Sequence, residues 1–340
     1  MGGTRRRVSR AAALAFALLV APSSPAGGAD EAPAGSVPLP LSGTPTLRAD
    51  KAYVVDGPQV IGPNAEIRVE QKVLIVGIHH ASLEVQGGLS VHGTQGNWVE
   101  IRNVDFSPTK APQKGLHLDM ADLHGCSFKH GEGVAFDGHV TIENTCFQRD
   151  CAFDVRIATG FLRIMTAEFG VPCKVATAMG SKGRAPEFSL RTSFMKDVMF
   201  SGTASATIRD VEIRGALDCR NVTDCQVDGC DLYGNLSIRQ GPDDTFGGVI
   251  LQKCSLLGGA RLLLDRPVGP KTKPEKLKVD KFFFEMKNGA PALADKEVAG
   301  QIQDSADDDN VSVTAWWSKP ADRKNQFVDA MNRGRIPPLK

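Results

Sequence analysis

The sequence predicts an all-β chain wound as a solenoid of short stacked strands, and three observations predict it. From about Ala52 onward, short runs rich in β-branched residues recur, each ended by Gly, Asn or Asp: Tyr53–Val55, Ile67–Val69, Val73–Val76, Leu83–Val85 and Leu89–Val91. Their alternation is of strand type, and no helical period is sustained there. A six-residue unit then repeats, reading apolar, any, small polar, small apolar, any, large apolar. Its first four copies start 22, 19 and 22 residues apart. A coil of that length cannot bury its own apolar side, so coils must stack on their neighbours.

The copies are Ile101–Phe106, Leu123–Phe128, Ile142–Phe147, Ile164–Phe169, Met195–Phe200, Ile208–Ile213, Val222–Val227 and Leu251–Leu256, with Val227–Leu232 overlapping the seventh. Two strands meeting at a tight corner place positions one, four and six inside. The third position is the corner, occupied by Asn103, Gly125, Asn144, Asp197, Asp210 and Asp224, residue types that tolerate left-handed backbone. Position six predicts one internal column of Phe106, Phe128, Phe147, Phe169 and Phe200. These units, with their I-x-N-V-x-F pattern, resemble the coils of right-handed parallel β-helix proteins, the architecture of pectate lyases. The resemblance covers roughly residues 50–265 and implies a right-handed, single-stranded parallel β-helix. Its matching residues are structural, so it implies little about activity. A β-sandwich is the rival fold. With strands about 4.8 Å apart, roughly ten coils would form a rod on the order of 50 Å long.

The flanks read differently. Arg5, Arg6, Arg7 and Arg10, the apolar run Ala11–Ala21 and the small residues up to Ala29 have the order of a cleaved secretory signal over residues 1–29, with Ala26 or Ala29 preceding the cut. Secretion, or a periplasmic or cell-surface location, is the expectation. Residues 30–45 read as a flexible linker. The β-helix is expected over 46–265, and 266–340 as a C-terminal capping extension with short strands and one helix beginning near Pro320. No later segment is apolar enough to span a membrane. Cleavage after Ala29 removes four arginines and no acids, taking the formal charge from +1 to −3, which argues against nucleic acid as a partner.

Chemistry-bearing residues are scattered. All seven histidines lie within 79–139, and His117 and His139 are 22 residues apart, close to one coil. They are candidate ligand-binding residues, with Asp119, Asp122 and Asp137 as neighbours. Trp316 and Trp317 offer a flat surface for a sugar ring. Asp304, Asp307 and Asp309 lie in an acidic run with oxygen ligands for calcium, but without the glycine and terminal glutamate of an EF-hand. Asp218, Asp228 and Asp231 are the nearest approach to the paired carboxylates a hydrolase needs. Arg156, Arg163, Arg191, Arg209, Arg214 and Arg239 sit in strand-like stretches, where a lyase would draw its charge-neutralising cation. Cys126, Cys225, Cys230 and Cys254 fall at position four and read as buried small apolar residues. Cys146, Cys151, Cys173 and Cys219 are the better disulfide candidates.

No catalytic motif or obligatory cofactor emerges. The expected protein is an exported monomer that binds an extended acidic polysaccharide or serves the cell envelope structurally. The alternative is a polysaccharide lyase or glycoside hydrolase acting on a polyuronate-type glycan.

Overall fold

Most copies of the hexad turn the chain through a left-handed third residue, although Asp197 and Asp224, expected at such corners, do not adopt that conformation. In the computed structural model, which describes residues 31–49, 51–107, 115–129, 136–177, 186–202, 205–221, 224–239, 248–265, 277–305, 311–315 and 335–340, Asn103, Gly125, Asn144, Thr166, Asp210, Gly229 and Lys253 all have φ between 46° and 70°. Met120 and Thr192 do the same at φ 52° and 44°, within units the hexad pattern did not flag, Leu118–Leu123 and Leu190–Met195.

Strands between these corners pair in parallel with the next coil and build a three-faced β-helix. The first face runs through Leu74–Ile75, Ile101, Leu123, Phe147, Phe169, Met195, Ile213, Leu232, Leu256 and Phe284. The second runs through Leu83, Phe106, Phe128, Phe153, Cys173, Val198, Leu217, Leu236, Leu262 and Ile302. The third runs through Val69, Val91, Leu118, Ile142, Ile164, Leu190, Ile208, Val227, Leu251, Val279 and Val313. Almost all of the buried apolar side chains from Leu39 to Val298 form one core.

The hexad serves two different corners. Ile101–Phe106, Leu123–Phe128 and Met195–Phe200 join the first face to the second, whereas Ile142–Phe147, Ile164–Phe169, Ile208–Ile213, Val227–Leu232 and Leu251–Leu256 join the third to the first. The expected single phenylalanine column is therefore two. Phe106 stacks on Phe128 at 4.9 Å and Phe147 on Phe169 at 4.2 Å, while Phe153 meets Phe128, Phe147 and Phe169 at 5.3–5.4 Å and welds the columns together. Phe200 stacks instead on Phe188, at 5.4 Å. All five phenylalanines of the expected column are buried. Val222–Val227 is not a corner, because Cys225 lies within a strand between Ala206 and Val249.

Position four is filled by small side chains, several of which donate to the corner. Cys126, Cys230 and Cys254 thiols point at the position-two carbonyls of His124, Asp228 and Gln252, and the Thr145 and Ser193 hydroxyls donate to those of Glu143 and Arg191 at 2.7 Å. All eight cysteines are buried free thiols, so the expected disulfides among Cys146, Cys151, Cys173 and Cys219 are not formed. Cys173 and Cys219 are core residues of the second face. Burial pushes the Cys151 thiol up to about 12, and the Cys126 and Cys173 thiols higher still.

The flanks join the stack. Val37–Pro38, in the stretch read as linker, pairs with Tyr53–Val54, and Leu39 is buried. Coils continue past Asp265 through Leu277–Phe284 and Val311–Ala315, and a short helix spans Asp295–Ala299. The helix expected from Pro320 and the signal over 1–29 lie outside the described residues. Among the described residues no helix is long and apolar enough to cross a membrane.

Phe147 contacts rings of both columns, so Phe147→Ala is expected to cost about 3–5 kcal/mol in urea unfolding. The native protein is expected to leave its thiols unreacted with a thiol reagent until it is unfolded, because the thiolate is the reactive form and burial disfavours it.

Candidate functional site

A β-helix sends residues close in sequence to different faces, and this disperses the carboxylates singled out above. Asp218 lies on the outside of the second face, accepting from Arg220 at 2.6 and 2.8 Å, with Arg239 Nε at 3.8 Å. Asp228 ends a third-face strand, is 2 % exposed, and pairs with Arg209 Nε at 3.2 Å. Asp231 faces outward on the first face between Glu212 and Ser255. The three do not converge, and two of them are held in ion pairs.

His117 and His139 both belong to the third face but miss each other by one side-chain step. His117 pairs in register with Thr141, whereas His139 pairs with Phe161. The His117 ring meets His92 edge-on at 5.2 Å. Burial, with His117 the second cause, lowers the His92 pKa. His139 stacks on Phe161 at 4.4 Å, and the Arg163 guanidinium lies 4.3 Å from the centre of the same ring. Asp119 accepts from Asn144 Nδ2 at 2.9 Å, and Asp122 belongs to the first face. Asp304 ends the strand beside Leu264. Trp316, Trp317, Asp307, Asp309 and the Asp137 side chain lie outside the description. Among the described residues no three His, Cys, Asp or Glu side chains are grouped to hold a metal ion.

A better site lies at position five of the third-to-first corner. There Asp122, Cys146, Glu168, Phe194, Glu212, Asp231 and Ser255 stand in one file along the outside of the first face. Outward does not mean exposed here. Asp122 and Glu168 are each only 5 % exposed and Glu212 9 %. The last residues of the chain, Arg335–Lys340, come back over part of this file. Ile336 packs on Cys146 with Phe194 and Leu339 beside it. Gln148, itself buried, donates to Pro338 O at 2.9 Å and to Asp122 Oδ1 at 2.8 Å, and its Oε1 accepts from Lys340 N at 2.7 Å. Lys340 Nζ stands 3.7 Å from Asp122. Gly170 makes room for this crossing, since a Cβ there would sit 2.7 Å from Leu339 Cδ1.

Beside the returning segment opens a cavity of about 540 Å³, lined by Glu168, Val171, Pro172, Phe194 and Leu339 with Arg149, Lys196 and Arg214 around it. Glu168 Oε2 is buried and has no hydrogen-bond partner among the described residues. Burial raises the Glu168 pKa, partly opposed by the Arg214 charge. Arg214 Nε lies 3.8 Å from Glu212 Oε1 and its guanidinium 5.6 Å from the Phe194 ring centre.

No family model, curated protein or solved structure matches this chain. Its own geometry is what bears on function: an aromatic and guanidinium-bearing strand face on one side, and on another a small cavity with a buried carboxylate.

Position five carries Asp122, Glu168, Glu212 and Asp231 in alternation with Cys146 and Phe194. Nothing local announces its burial, because the covering segment comes from nearly two hundred residues later in the chain, at Gln148's two contacts.

Gln148→Ala is expected to free the C-terminal segment, seen as faster amide exchange at Leu339 and Lys340 with the strands unchanged. Glu168 has a raised folded pKa, so the stability its neutral form contributes is present at low pH and lost as pH rises through that raised value. Glu168→Gln is therefore expected to be more stable than the parent at neutral pH, with the gap closing below about pH 4.

Proposed function

We propose that the protein is an exported, non-catalytic β-helix that binds an extended acidic polysaccharide along its third face. The observation that carries this reading is the outer surface of that face, where basic and aromatic groups stand on three neighbouring files. His117, then His139, then Phe161 with Arg163, then Arg191 and Arg209 occur on successive coils, Arg191 lying directly beside Arg209 in register. Coils about 4.8 Å apart set Arg191 and Arg209 at a spacing that suits neighbouring charges of an anionic polymer. The Phe161 ring, covered by His139 and by the Arg163 guanidinium, holds that cation at the surface of the face. Arg163, Arg191 and Arg209 are solvent-exposed, though Arg163 also reaches Glu187 at 3.8 Å and Arg209 pairs with Asp228 at 3.2 Å. Guanidinium groups of this kind match carboxylate and sulfate geometry. Export rests on the order of residues 1–29. The non-catalytic part rests on the dispersal of Asp218, Asp228 and Asp231 over three faces.

The test is a panel of acidic and neutral polysaccharides scored together for binding and for release of chain ends. Acidic polymers are expected to bind, more weakly as salt rises, because exposed charges are screened. The pair Arg191→Ala and Arg209→Ala should weaken binding about tenfold, on the order of 1.4 kcal/mol. Rapid release of unsaturated or reducing ends would install the lyase or hydrolase reading instead. Failure to bind every polymer would leave a structural role in the cell envelope.

A further inference from the structure

We propose that the first-face cavity is a separate binding site for a single sugar-sized polyol carrying one anionic group, a carboxylate or a phosphate. The inference does not depend on the polymer-binding reading, since the two sites lie on different faces.

Four observations carry it. The volume, about 540 Å³, falls within the range of sites for small organic ligands and is too confined for a polymer crossing in both directions. Its charged lining is unbalanced. Arg149, Lys196 and Arg214 surround the cavity, and the carboxylate among them, Glu168, is pushed toward its neutral form by burial. Glu212, the neighbouring acid, is already beside Arg214 at 3.8 Å. A ligand entering here therefore meets net positive charge, which selects an anion. Glu168 Oε2 is a buried polar atom without a partner among the described residues, in a residue 95 % withdrawn from solvent by its 5 % exposure. Such atoms are rare in folded proteins, because leaving one unsatisfied costs about 1–3 kcal/mol. Glu168 lines the cavity, so a side-chain rotation toward it would let a ligand hydroxyl satisfy this atom. The remaining walls are apolar, with the Phe194 ring, Val171, Pro172 and Leu339 suited to the C–H face of a ring-shaped polyol.

The surroundings hold this arrangement in place. Glu168 is flanked along its file by Cys146 on one coil and Phe194 on the next. Cys146 is kept as the neutral thiol by burial, with Glu168, Asp122 and Lys340 the charges facing it. Gly170 lets Arg149 approach, a Cβ there lying 3.1 Å from Arg149 Cγ. Leu339 is fixed by the Gln148 clamp on its neighbours Pro338 and Lys340.

The test is calorimetric titration of the full mature chain with D-glucuronate and with glucose-6-phosphate, glucose serving as the neutral comparison. One anionic probe is expected to bind at one site per chain, at least tenfold more tightly than glucose, and the tighter of the two identifies the anionic group. Arg149→Ala with Lys196→Ala should weaken it tenfold or more. Anion binding should strengthen as pH falls and Glu168 loses its charge, and Glu168→Gln should retain binding, because the amide still offers hydrogen bonds, while abolishing that pH dependence. Glu168→Leu should weaken binding tenfold with an unchanged circular dichroism spectrum. The third-face pair Arg191→Ala and Arg209→Ala should leave this binding intact, which separates its failure from failure of the polymer reading. The proposal is overturned if neither anionic probe binds, or if binding is unchanged in both Glu168→Leu and the Arg149/Lys196 double variant.

Discussion

The structure depends on how one backbone carbonyl is satisfied at each turn of the third-to-first corner. The carbonyl at position two is the last one before the left-handed residue at position three. Two donors meet it. The position-three amide of the coil before reaches it: Met120 to Glu143, Asn144 to Met165, Thr166 to Arg191, Thr192 to Arg209, Asp210 to Asp228 and Gly229 to Gln252, at 2.9–3.2 Å. At several corners the side chain at position four also turns back to it, as Thr145, Ser193, Cys230 and Cys254 do. The corner thus knits each coil to the next, and a buried carbonyl is not left unpaired. Because the knit repeats without slippage, every later position falls into register, and position five becomes the file that holds Asp122, Glu168 and Glu212.

That mechanism also explains what the sequence made legible. Strand alternation and the hexad identify stacked coils, since apolar spacing survives at every corner. The Asn and Asp corners are legible because those residues adopt left-handed backbone cheaply. Met120, Thr166, Thr192 and Lys253 are not, because they adopt it at a cost of roughly 1–2 kcal/mol that only the inter-coil bonds make tolerable. The hexad does not state which corner it turns, so Phe128 and Phe147 look equivalent in sequence although they stand on different faces. Phe153, which joins the two columns, follows a turn with no hexad around it.

The candidate sites differ in legibility for a related reason. Arg163, Arg191 and Arg209 were visible as strand arginines, and register sets Arg191 beside Arg209 and Phe161 beside His139. Glu168 was invisible as a buried group, because its burial comes from partners distant in sequence and from a closing segment with two prolines, Pro337 and Pro338. The thiols show the same limit in reverse. Cysteine count in a chain read as exported pointed to cross-links, whereas the fold uses cysteine as a small apolar wedge and weak donor.

The corner from the second face to the third is built to a different rule. Ala152–Met165 crosses it as one unbroken strand, Ser201 and Ser205 bracket it closely, and elsewhere it separates Ser107 from Gly115, Thr177 from Glu187, Arg239 from Gly248 and Asp265 from Leu277. Length can change along this edge without disturbing the knitted corner opposite. The rod is in effect a ruled spine with one editable margin, and that margin borders the arginine-bearing third face. Segments of different length can be absorbed there while the coil-to-coil lattice stays fixed.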